Sequence, residues 1–367
     1  MSSAPERPLR RGWTTGACAA AAARAALEAL LTGRFPDPVA IRLPGGAAPS
    51  FPLALRESGP GWARAGVTKD AGDDPDVTHG ALVIAEVKTA PPGSGLVFRA
   101  GEGVGRVTRP GLPLAVGEPA INPGPRAMIR AALDAAAEAA GKPAPAGLEV
   151  TLSIPGGEAL AAKTLNGRLG IVGGLSILGT TGVVIPYSCS SWIHSIHRGI
   201  DVARAAGIEH IAASTGRTSE QAVQHLHGLP EVALIDMGDF AGAVLKYLRR
   251  HPVKRLTISG GPGKLVKLAQ GELDLHSARS RVDGEALAAR LREIGAPTPV
   301  IARAREGAGM SEIMAALEAD LRPRLAQAIA ERAREAVLAT LAGGTEVEVA
   351  VFDRGGNLLA RSGIKLP

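Results

Sequence analysis

The chain has 367 residues, 46% of them hydrophobic and only 3% aromatic, and its formal net charge at pH 7 is +6. This length predicts two domains with cores built from Ala, Val, Leu and Ile. So few aromatic rings argue against a stacking platform for single-stranded nucleic acid. The basic residues are also scattered, so the charge indicates a small anionic partner and no nucleic acid.

Cysteine usage and hydrophobic runs indicate the compartment. Cys18 and Cys189 are the only cysteines, and two isolated cysteines make neither a disulfide framework nor a zinc site, as is usual in a reducing compartment. Residues 1–8 lack the apolar core of a signal peptide, and the apolar stretch 17–31 is interrupted by charges and is too short to span a bilayer. We therefore expect a cytoplasmic protein that does not enter a membrane.

The first element is a helix predicted over 19–31, because this segment is rich in Ala, Leu, Arg and Glu. Thr14 or Thr15 is a suitable N-cap, and Gly16 follows it. Free N–H groups at the positive end of such a helix suit a carboxylate or phosphate of a ligand, although an ordinary cap explains the same residues.

A cluster of acidic residues follows the next strands. Strands are predicted at 39–43, 51–57, 62–68, 81–88 and 96–100, the last two as a pair. Between the third and fourth strands lie four aspartates, Asp70, Asp73, Asp74 and Asp76, with Lys69 and His79. Their spacing does not match an EF-hand loop. Such residues can hydrogen-bond a ligand, act as a general base or form Asx turns at the surface, and the cost of burying unpaired acids favours a functional role.

The rest of the N-terminal half mixes loops, helices and strands. A second glycine-rich loop, 101–111, carries Arg106 and Arg109. A helix is predicted over 127–140 and a strand over 148–154. Several strands with few helices are typical of an α+β domain with a mixed sheet.

A glycine-rich stretch, 164–186, lies near the middle of the chain. Its glycines alternate with Leu, Ile and Val rather than with Ser and charged residues, and its only charge is Arg168. This composition favours burial, unlike that of a flexible linker. Buried, irregular glycine backbone presents N–H groups that a ligand can satisfy. The pattern indicates either a ligand-binding wall at a domain junction or a series of tight turns.

The C-terminal half repeats strand, loop and helix three times, with strands predicted at 208–213, 231–236 and 255–259. This repeat predicts a doubly wound, Rossmann-like parallel sheet, in which ligands bind at the carboxyl ends of the strands. Asp236 ends the second strand, where such folds place an acid for ribose hydroxyls. The third loop lacks the phosphate-loop spacing, since Leu265 stands where a hydroxyl residue belongs, and this excludes an NTPase.

Two further features complete the C-terminal half. His194 and His197 lie three residues apart on a predicted helix, 190–206, and suit either a shared metal or an amphipathic helix face. Helices are predicted at 283–295 and 311–342, and a hairpin at 347–352 and 358–361. The predicted fold is a two-domain α/β protein. Its segments are an α+β domain at 1–186, a Rossmann-like domain at 187–310, and a C-terminal helix and hairpin at 311–367 that pack on the core.

Seven blocks that run in order along nearly the whole chain resemble the cobalt-precorrin-5B (C-1)-methyltransferase family, CbiD. They are TTGAC at 14–18, KDAGDDPDVTHG at 69–80, GEPAINP at 117–123, KTLN at 163–166, RLGI at 168–171, GGLSILGTTG at 173–182 and GKLVKLA at 263–269. After Pro186 the chain departs from the acidic residues expected in the family and reads YSCSSW.

The resemblance implies an enzyme of anaerobic cobalamin biosynthesis. Such an enzyme transfers a methyl group from S-adenosylmethionine to ring carbon C-1 of cobalt-precorrin-5B and yields cobalt-precorrin-6A. The cobalt belongs to the substrate, so no protein-bound metal is expected. The macrocycle is an anionic corrinoid, which agrees with the basic composition, and a homo-oligomer is compatible with this function. The ring carbon is the nucleophile, so the protein must chiefly align the reactants and exclude water.

The resemblance and the pattern together assign candidate site residues. The candidates for moving a proton are Asp70, Asp74 and His79. The corrinoid-binding candidates are Thr14, Thr15, Gly16, Arg106, Asn166, Arg168, Gly173, Gly174, Thr180 and Thr181. The candidates for binding S-adenosylmethionine are Ser214, Thr215, Gly216, Asp236, Gly238, Gly260, Gly261 and Gly263.

A second hypothesis is a non-catalytic carrier that passes unstable corrinoid intermediates between enzymes. The chain lacks the usual methyltransferase glycine fingerprint, which supports this reading. A carrier binds the macrocycle but not S-adenosylmethionine, so cofactor binding separates the two hypotheses.

Overall fold

The computed structural model describes residues 8–363. Internal contacts divide the chain into two compact units, with the boundary between Cys189 and Ser190. Within this described range no helix is long and apolar enough to cross a membrane. The mixture of helices and sheets confirms the predicted α/β class.

The first unit contains three helices among many strands within the described residues. Its elements are β1 (Gly12–Trp13), α1 (Thr15–Thr32), β2 (Val39–Ala40), β3 (Ser50–Phe51), β4 (Leu55–Gly59), β5 (Trp62–Thr68), β6 (Leu82–Thr89), β7 (Gly95–Ala100), β8 (Arg106–Val107), α2 (Pro123–Ala139), β9 (Gly147–Ser153), α3 (Gly157–Ala161), β10 (Ile171–Val172) and β11 (Val183–Val184).

Helix α1 is the centre of the first core. Its alanines are almost completely buried, and it packs against α2, β5 and β6. Alanine has no side chain beyond Cβ, so two layers can approach this helix closely. The Thr14 Oγ1 atom accepts a hydrogen bond from the Ala17 N–H at 3.2 Å, which confirms the predicted N-cap. Burial raises the pKa of Cys18 to about 12, so this thiol is an inert part of the core.

The main sheet of the first unit has five strands in the order β4-β5-β6-β9-β7. Strand β9 is antiparallel to β6 and parallel to β7. The predicted pairing of 81–88 with 96–100 is therefore wrong, because β9 lies between them. The connection from β6 passes over the end of β9, where a Cβ on Gly147 would lie 2.3 Å from the Pro91 carbonyl oxygen. A crossing this close requires glycine.

The central glycine stretch packs against the beginning of α1. The Thr14 N–H donates to the Gly182 carbonyl at 3.0 Å, and the Gly16 N–H donates to Leu178 at 3.1 Å. Gly179 has φ +113°, and a Cβ there would lie 2.3 Å from the Thr14 Cβ. Glycine is therefore required at position 179 for the close approach of this backbone to the Thr14 side chain.

The second unit contains most of the helices. Its elements are α4 (Cys189–Ala205), which begins at the boundary, β12 (His210–Ser214), α5 (Arg217–His227), a 3₁₀ turn (Glu231–Ala233), β13 (Leu234–Asp236), α6 (Ala241–Leu248), β14 (Arg255–Gly260), α7 (Pro262–Ala269), α8 (Gly284–Glu293), α9 (Thr298–Arg305), α10 (Met310–Ala316), α11 (Leu321–Leu341), β15 (Glu346–Phe352) and β16 (Leu358–Ser362).

The sheet of the second unit has the order β13-β12-β14-β15-β16. The first four of these strands are parallel, and β16 is antiparallel to β15. Strands β15 and β16 form the predicted closing hairpin, and β15 pairs along its length with β14. The hairpin is therefore part of the same sheet as the predicted segment 187–310. The functional domain boundaries proposed from the sequence stay a prediction.

A buried polar network crosses this sheet near the amino ends of its strands. Glu348, on β15, is fully buried, and its Oε2 atom lies 2.6 Å from His227 Nε2 and 2.9 Å from Thr257 Oγ1. His210 Nε2 lies 2.8 Å from the same threonine hydroxyl, and burial lowers the pKa of His210 to about 4. Because His227 ends α5, the network attaches this helix to β15.

The helices after β14 differ from the prediction in two places. Helix α9 was not predicted, and the predicted helix 311–342 is two helices, α10 and α11. Helix α10 ends where Leu317 takes an extended conformation, with ψ 145°. Helix α11 starts a few residues later and carries Pro323 in its first turn, where proline is tolerated.

We predict that Gly179→Ala destabilises the first unit more than Gly173→Ala. Both glycines have positive φ, but a Cβ on Gly173 meets nothing within 4 Å. The strain of the positive φ costs about 1–2 kcal/mol in either variant, and the collision with Thr14 adds roughly 1–3 kcal/mol in Gly179→Ala. Chemical unfolding of both variants measures the difference, and equal losses would contradict the proposed contact.

Candidate functional site

The acidic loop of the first unit is organised around a buried lysine. Lys69 is only 3% exposed, and its ammonium group donates to Asp76 and to Thr78 Oγ1. Asp76 also accepts the Thr78 N–H at 2.8 Å. Burial raises the pKa of Asp76, but the charge and hydrogen bond of Lys69 together with the hydrogen bonds from Thr78 outweigh it, and the net shift is downward. Asp76 therefore neutralises a buried cation and stabilises the loop.

The same loop binds two distant segments of its own unit. Asp70 accepts hydrogen bonds from the guanidinium of Arg10, and the Arg10 N–H donates to Asp73 at 2.6 Å. Asp74 Oδ1 accepts the N–H of Tyr187 at 2.8 Å. The aspartates thus bring segments from both ends of the unit to one loop.

The three candidates for moving a proton differ in their chemistry. Hydrogen bonding to Arg10 holds the pKa of Asp70 down at about 2, so this carboxylate is ionised at neutral pH and is a weak base. His79 Nδ1 accepts the Ala71 N–H at 3.1 Å, which places the proton of the neutral ring on Nε2. The Asp74 carboxylate already accepts a hydrogen bond from the Tyr187 N–H. A catalytic role for any of them stays a prediction.

The candidates for corrinoid binding fall into two groups. The first group is buried and bonded within the chain: Thr14, Thr15, Gly16, Asn166 and Gly174. Asn166 Nδ2 donates to the Gly174 carbonyl at 3.2 Å, and the N–H groups of Thr14 and Gly16 have chain partners, as in an ordinary cap. The second group is exposed: Arg106, Gly173, Thr180 and Thr181. Arg168 is partly buried, and its carbonyl accepts from Arg109 at 3.4 Å.

A cavity of about 460 Å³ opens in the second unit at the carboxyl ends of the parallel strands β12, β14 and β15. The parallel register pairs Ser214 with Ser259 and Gly260 with Val351, so the loops after these strands meet at one edge. The residues lining the cavity are Thr215, Gly216, Arg217, Thr218, Ser219, Gly261, Pro262, Gly263, Met310, Ser311, Met314, Phe352, Asp353, Arg354 and Leu359.

Half of the residues predicted for the cofactor lie in this lining, namely Thr215, Gly216, Gly261 and Gly263. Ser214 and Gly260 are buried beneath it; the Ser214 hydroxyl bonds to Ser259 Oγ at 2.7 Å, and Gly260 packs on Thr215. Asp236 ends β13 and Gly238 follows it, on the other side of β12, and neither residue lines the cavity. All eight assignments stay predictions about binding.

The turn of the β15–β16 hairpin is a wall of the cavity that sequence reasoning missed. Asp353 accepts the N–H groups of Gly355 and Asn357 at 2.8 Å, and the Asn357 side chain at 2.9 Å. These hydrogen bonds, first that of the Asn357 side chain, lower the pKa of Asp353. Arg354 donates to Ser311 Oγ at 2.8 Å and so joins this turn to α10.

Lys264 fixes the opposite wall of the cavity. Its Nζ donates to the Thr215 carbonyl at 2.8 Å and lies 3.1 Å from Asp239 Oδ1. The lysine therefore links α7 to the loop after β12. In this structure the lysine binds protein groups, and the exclusion of an NTPase stays a prediction.

Trp192 covers the end of β13. Its Nε1–H donates to the Asp236 carbonyl at 3.1 Å, and its ring lies about 3.4 Å from where a Cβ on Gly238 would be. The tryptophan is nevertheless 46% exposed. Part of the segment that departs from the family pattern thus packs on the edge of the sheet that carries the predicted ribose-binding acid.

A metal role for the predicted histidine pair gains no support. The ring of His197 stacks on Tyr247 with centroids 4.1 Å apart, and burial lowers the pKa of His197. Between residues 8 and 363 no three His, Cys, Asp or Glu side chains are grouped so as to hold a metal ion.

These features describe a two-unit α/β protein with a small-molecule cavity in its second unit. The sequence profile of the CbiD family matches residues 2–186, and that of the CbiD C-terminal domain matches residues 274–363. The chain belongs to the CbiD family.

Close relatives are similar over nearly their whole length. The cobalt-precorrin-5B C(1)-methyltransferase of Paramagnetospirillum magneticum is 58% identical over 97% of this chain and 99% of its own. The protein of the same name from Brucella anthropi is 58% identical over 96% of this chain and 95% of its own. A crystal structure of the cobalamin biosynthesis protein cbiD from Archaeoglobus fulgidus aligns with a TM-score of 0.39 at 30% identity, over 74% of this chain and 83% of that one.

We predict that Arg10→Gln raises the pKa of Asp70 from about 2 toward its ordinary value of 3.8. A depressed pKa in the folded state stabilises the protein above the unfolded-state pKa, and this stability is lost as pH falls. The variant should therefore be slightly less stable at pH 7, and the loss should be small because the ion pair is largely exposed to solvent. Carboxyl NMR titration and urea unfolding measure both effects. Arg11→Gln is the control, and an unchanged Asp70 titration in Arg10→Gln would refute the assignment.

Proposed function

We propose that this protein transfers a methyl group from S-adenosylmethionine to C-1 of cobalt-precorrin-5B, which gives cobalt-precorrin-6A in cobalamin biosynthesis. The observation that carries the proposal is 58% identity, over almost the full length of both chains, to proteins named for this reaction. We propose a cytoplasmic location for the protein. A homo-oligomer is compatible with the proposed activity.

The cavity of the second unit is the proposed site for the methyl donor. The strand order β13-β12-β14-β15-β16, in which the first four strands are parallel, supports a doubly wound, Rossmann-like arrangement of this sheet. In such folds ligands bind where the strand order reverses, which here is between β12 and β14. A volume of about 460 Å³ lies within the range usual for small-molecule sites.

The lining of the cavity fits the chemistry of S-adenosylmethionine. Met310, Met314, Phe352 and Leu359 form an apolar surface suited to the adenine ring and the methylene groups. Hydroxyl, backbone and guanidinium groups from the loops after β12 and β14 and from the hairpin turn suit the ribose and the amino-acid part. Asp236 stays a candidate for a ribose hydroxyl at the neighbouring strand end.

The first unit is the proposed corrinoid-binding domain. Arg106 and Arg168 are candidates to bind the carboxylate arms of the macrocycle, because a guanidinium pairs with carboxylate through two parallel hydrogen bonds. Gly173, Thr180 and Thr181 are exposed on the same glycine stretch, beside the exposed side chains of Val172 and Leu178. This combination suits a ligand with an apolar ring and charged arms.

The residues of the chain have a limited chemical task in this reaction. S-adenosylmethionine supplies a methyl group that its sulfonium already activates. The chain must hold donor and ring carbon in line and exclude water. If a proton moves on the macrocycle, His79 is better suited than Asp70, because the pKa of Asp70 lies far below neutral pH.

Methyl-labelled S-adenosylmethionine and trapped cobalt-precorrin-5B test the function directly. We expect mass analysis of the macrocycle to show the gain of one labelled methyl group at C-1. Calorimetry on the same protein measures donor binding. Tight corrinoid binding without label and without donor binding would overturn the proposal in favour of the non-catalytic carrier.

We predict that Gly263→Leu weakens donor binding by about tenfold or more, because the added side chain enters a cavity that the donor must fill. A Cβ on Gly263 begins 3.8 Å from Met310 Cβ, an ordinary contact, and leucine suits helix α7 better than glycine, so the fold is retained. Gly45→Leu, on an exposed glycine of the first unit with open space around it, is the control. Undiminished donor affinity in Gly263→Leu would exclude this cavity as the donor site.

A further inference from the structure

We propose that Arg217 is a specificity-determining residue that binds the α-carboxylate of the methyl donor. This inference rests on the proposed function, since it assigns one contact within the proposed donor cavity. Arg217 is the first residue of α5, its side chain is exposed, and it lines the cavity.

The first argument is that Arg217 has no partner among the residues that the structure describes. Over residues 8–363 its guanidinium makes neither an ion pair nor a hydrogen bond. A cation in the first turn of a helix also lies beside the positive end of the helix dipole, where it is disfavoured. An unpaired arginine at such a position is stabilised if a ligand brings a negative charge to it.

The second argument is the charge balance of the lining. It contains three charged side chains, those of Arg217, Asp353 and Arg354. The Asp353 carboxylate is engaged by Gly355 and Asn357, and Arg354 donates to Ser311. Arg217 is therefore the one charged group of the lining, among the described residues, without a bond to the protein, and the net charge of the lining is positive.

The third argument concerns which anion fits. Guanidinium groups pair with carboxylates through two parallel N–H donors. Met310, Met314, Phe352 and Leu359 give the cavity an apolar part, which suits a carboxylate attached to a longer aliphatic and aromatic ligand. The donor carries one such carboxylate. The corrinoid substrate carries several carboxylates, which could pair with the same guanidinium. The experiment must therefore distinguish binding of the donor carboxylate from binding of a corrinoid carboxylate.

The test compares S-adenosylmethionine with decarboxylated S-adenosylmethionine by calorimetry, in the absence of the corrinoid. For the wild type we expect loss of the carboxylate to weaken binding about ten- to hundredfold, the usual effect of removing a charge-assisted hydrogen-bonded pair. Arg217→Gln should weaken binding of the intact donor by a similar factor and leave the decarboxylated donor unaffected. Arg217→Lys should restore part of the affinity, since it keeps the charge but not the forked geometry.

Arg324→Gln is the matched control. Arg324 is an exposed arginine in the first turn of α11 that also has no bonded partner among residues 8–363, but it does not line the cavity. The Arg324→Gln variant should bind both donors with the affinity of the wild type. A circular dichroism spectrum verifies that each variant is folded.

Each result bears on the inference. If Arg217→Gln binds the intact donor like the wild type, or weakens both donors by the same factor, Arg217 does not bind the donor carboxylate. If the variant weakens only the binding of cobalt-precorrin-5B, the carboxylate belongs to the corrinoid and the assignment to the donor is overturned. If donor binding depends both on Arg217 and on the carboxylate of the donor while no methyl group is transferred, the inference stands and the proposed methyltransferase reaction fails.

Discussion

The parallel pairing of β12, β14 and β15 is the constraint on which the second unit depends. Ser214 pairs with Ser259, and Gly260 pairs with Val351. The loops that follow the three strands are far apart in the chain, but because of this register they begin at the same edge of the sheet. The cavity exists only while this register holds. At the other end of the strands, buried Glu348 binds Thr257 and His227, and so attaches the last residue of α5 to the sheet. The first residue of that helix, Arg217, lines the cavity.

A different constraint shapes the first unit, where backbones approach more closely than side chains allow. The alanines of α1 let a sheet and α2 pack on one helix. Gly179 lets the central stretch reach Thr14, and two N–H groups at the start of α1, those of Thr14 and Gly16, donate to carbonyls of that stretch. The glycines thus have a structural task that is visible in the contacts. Their neighbours Thr180 and Thr181 are exposed.

The acidic loop shows how structural and chemical roles overlap. Asp76 neutralises buried Lys69, and Asp70 and Asp73 hold Arg10. A carboxylate whose pKa is held low by a guanidinium is a good hydrogen-bond acceptor and a poor proton carrier. For a methyl transfer from an already activated donor this is sufficient, because positioning and the exclusion of water are the main requirements.

Local pattern was enough to predict the cap at Thr14, the strand–loop–helix repeat and four of the residues that line the cavity, because capping, periodicity and loop composition depend on neighbours in the chain. It did not predict β9 between β6 and β7, nor the meeting of Arg217, Arg354 and Met310 around one cavity. Its assignment of Asp236 to the donor stays a prediction, since that residue ends β13 and does not line the cavity. These features depend on which strands pair and which helices cover them. Such long-range contacts are decided by the packing of the whole unit, and only the tertiary structure contains them.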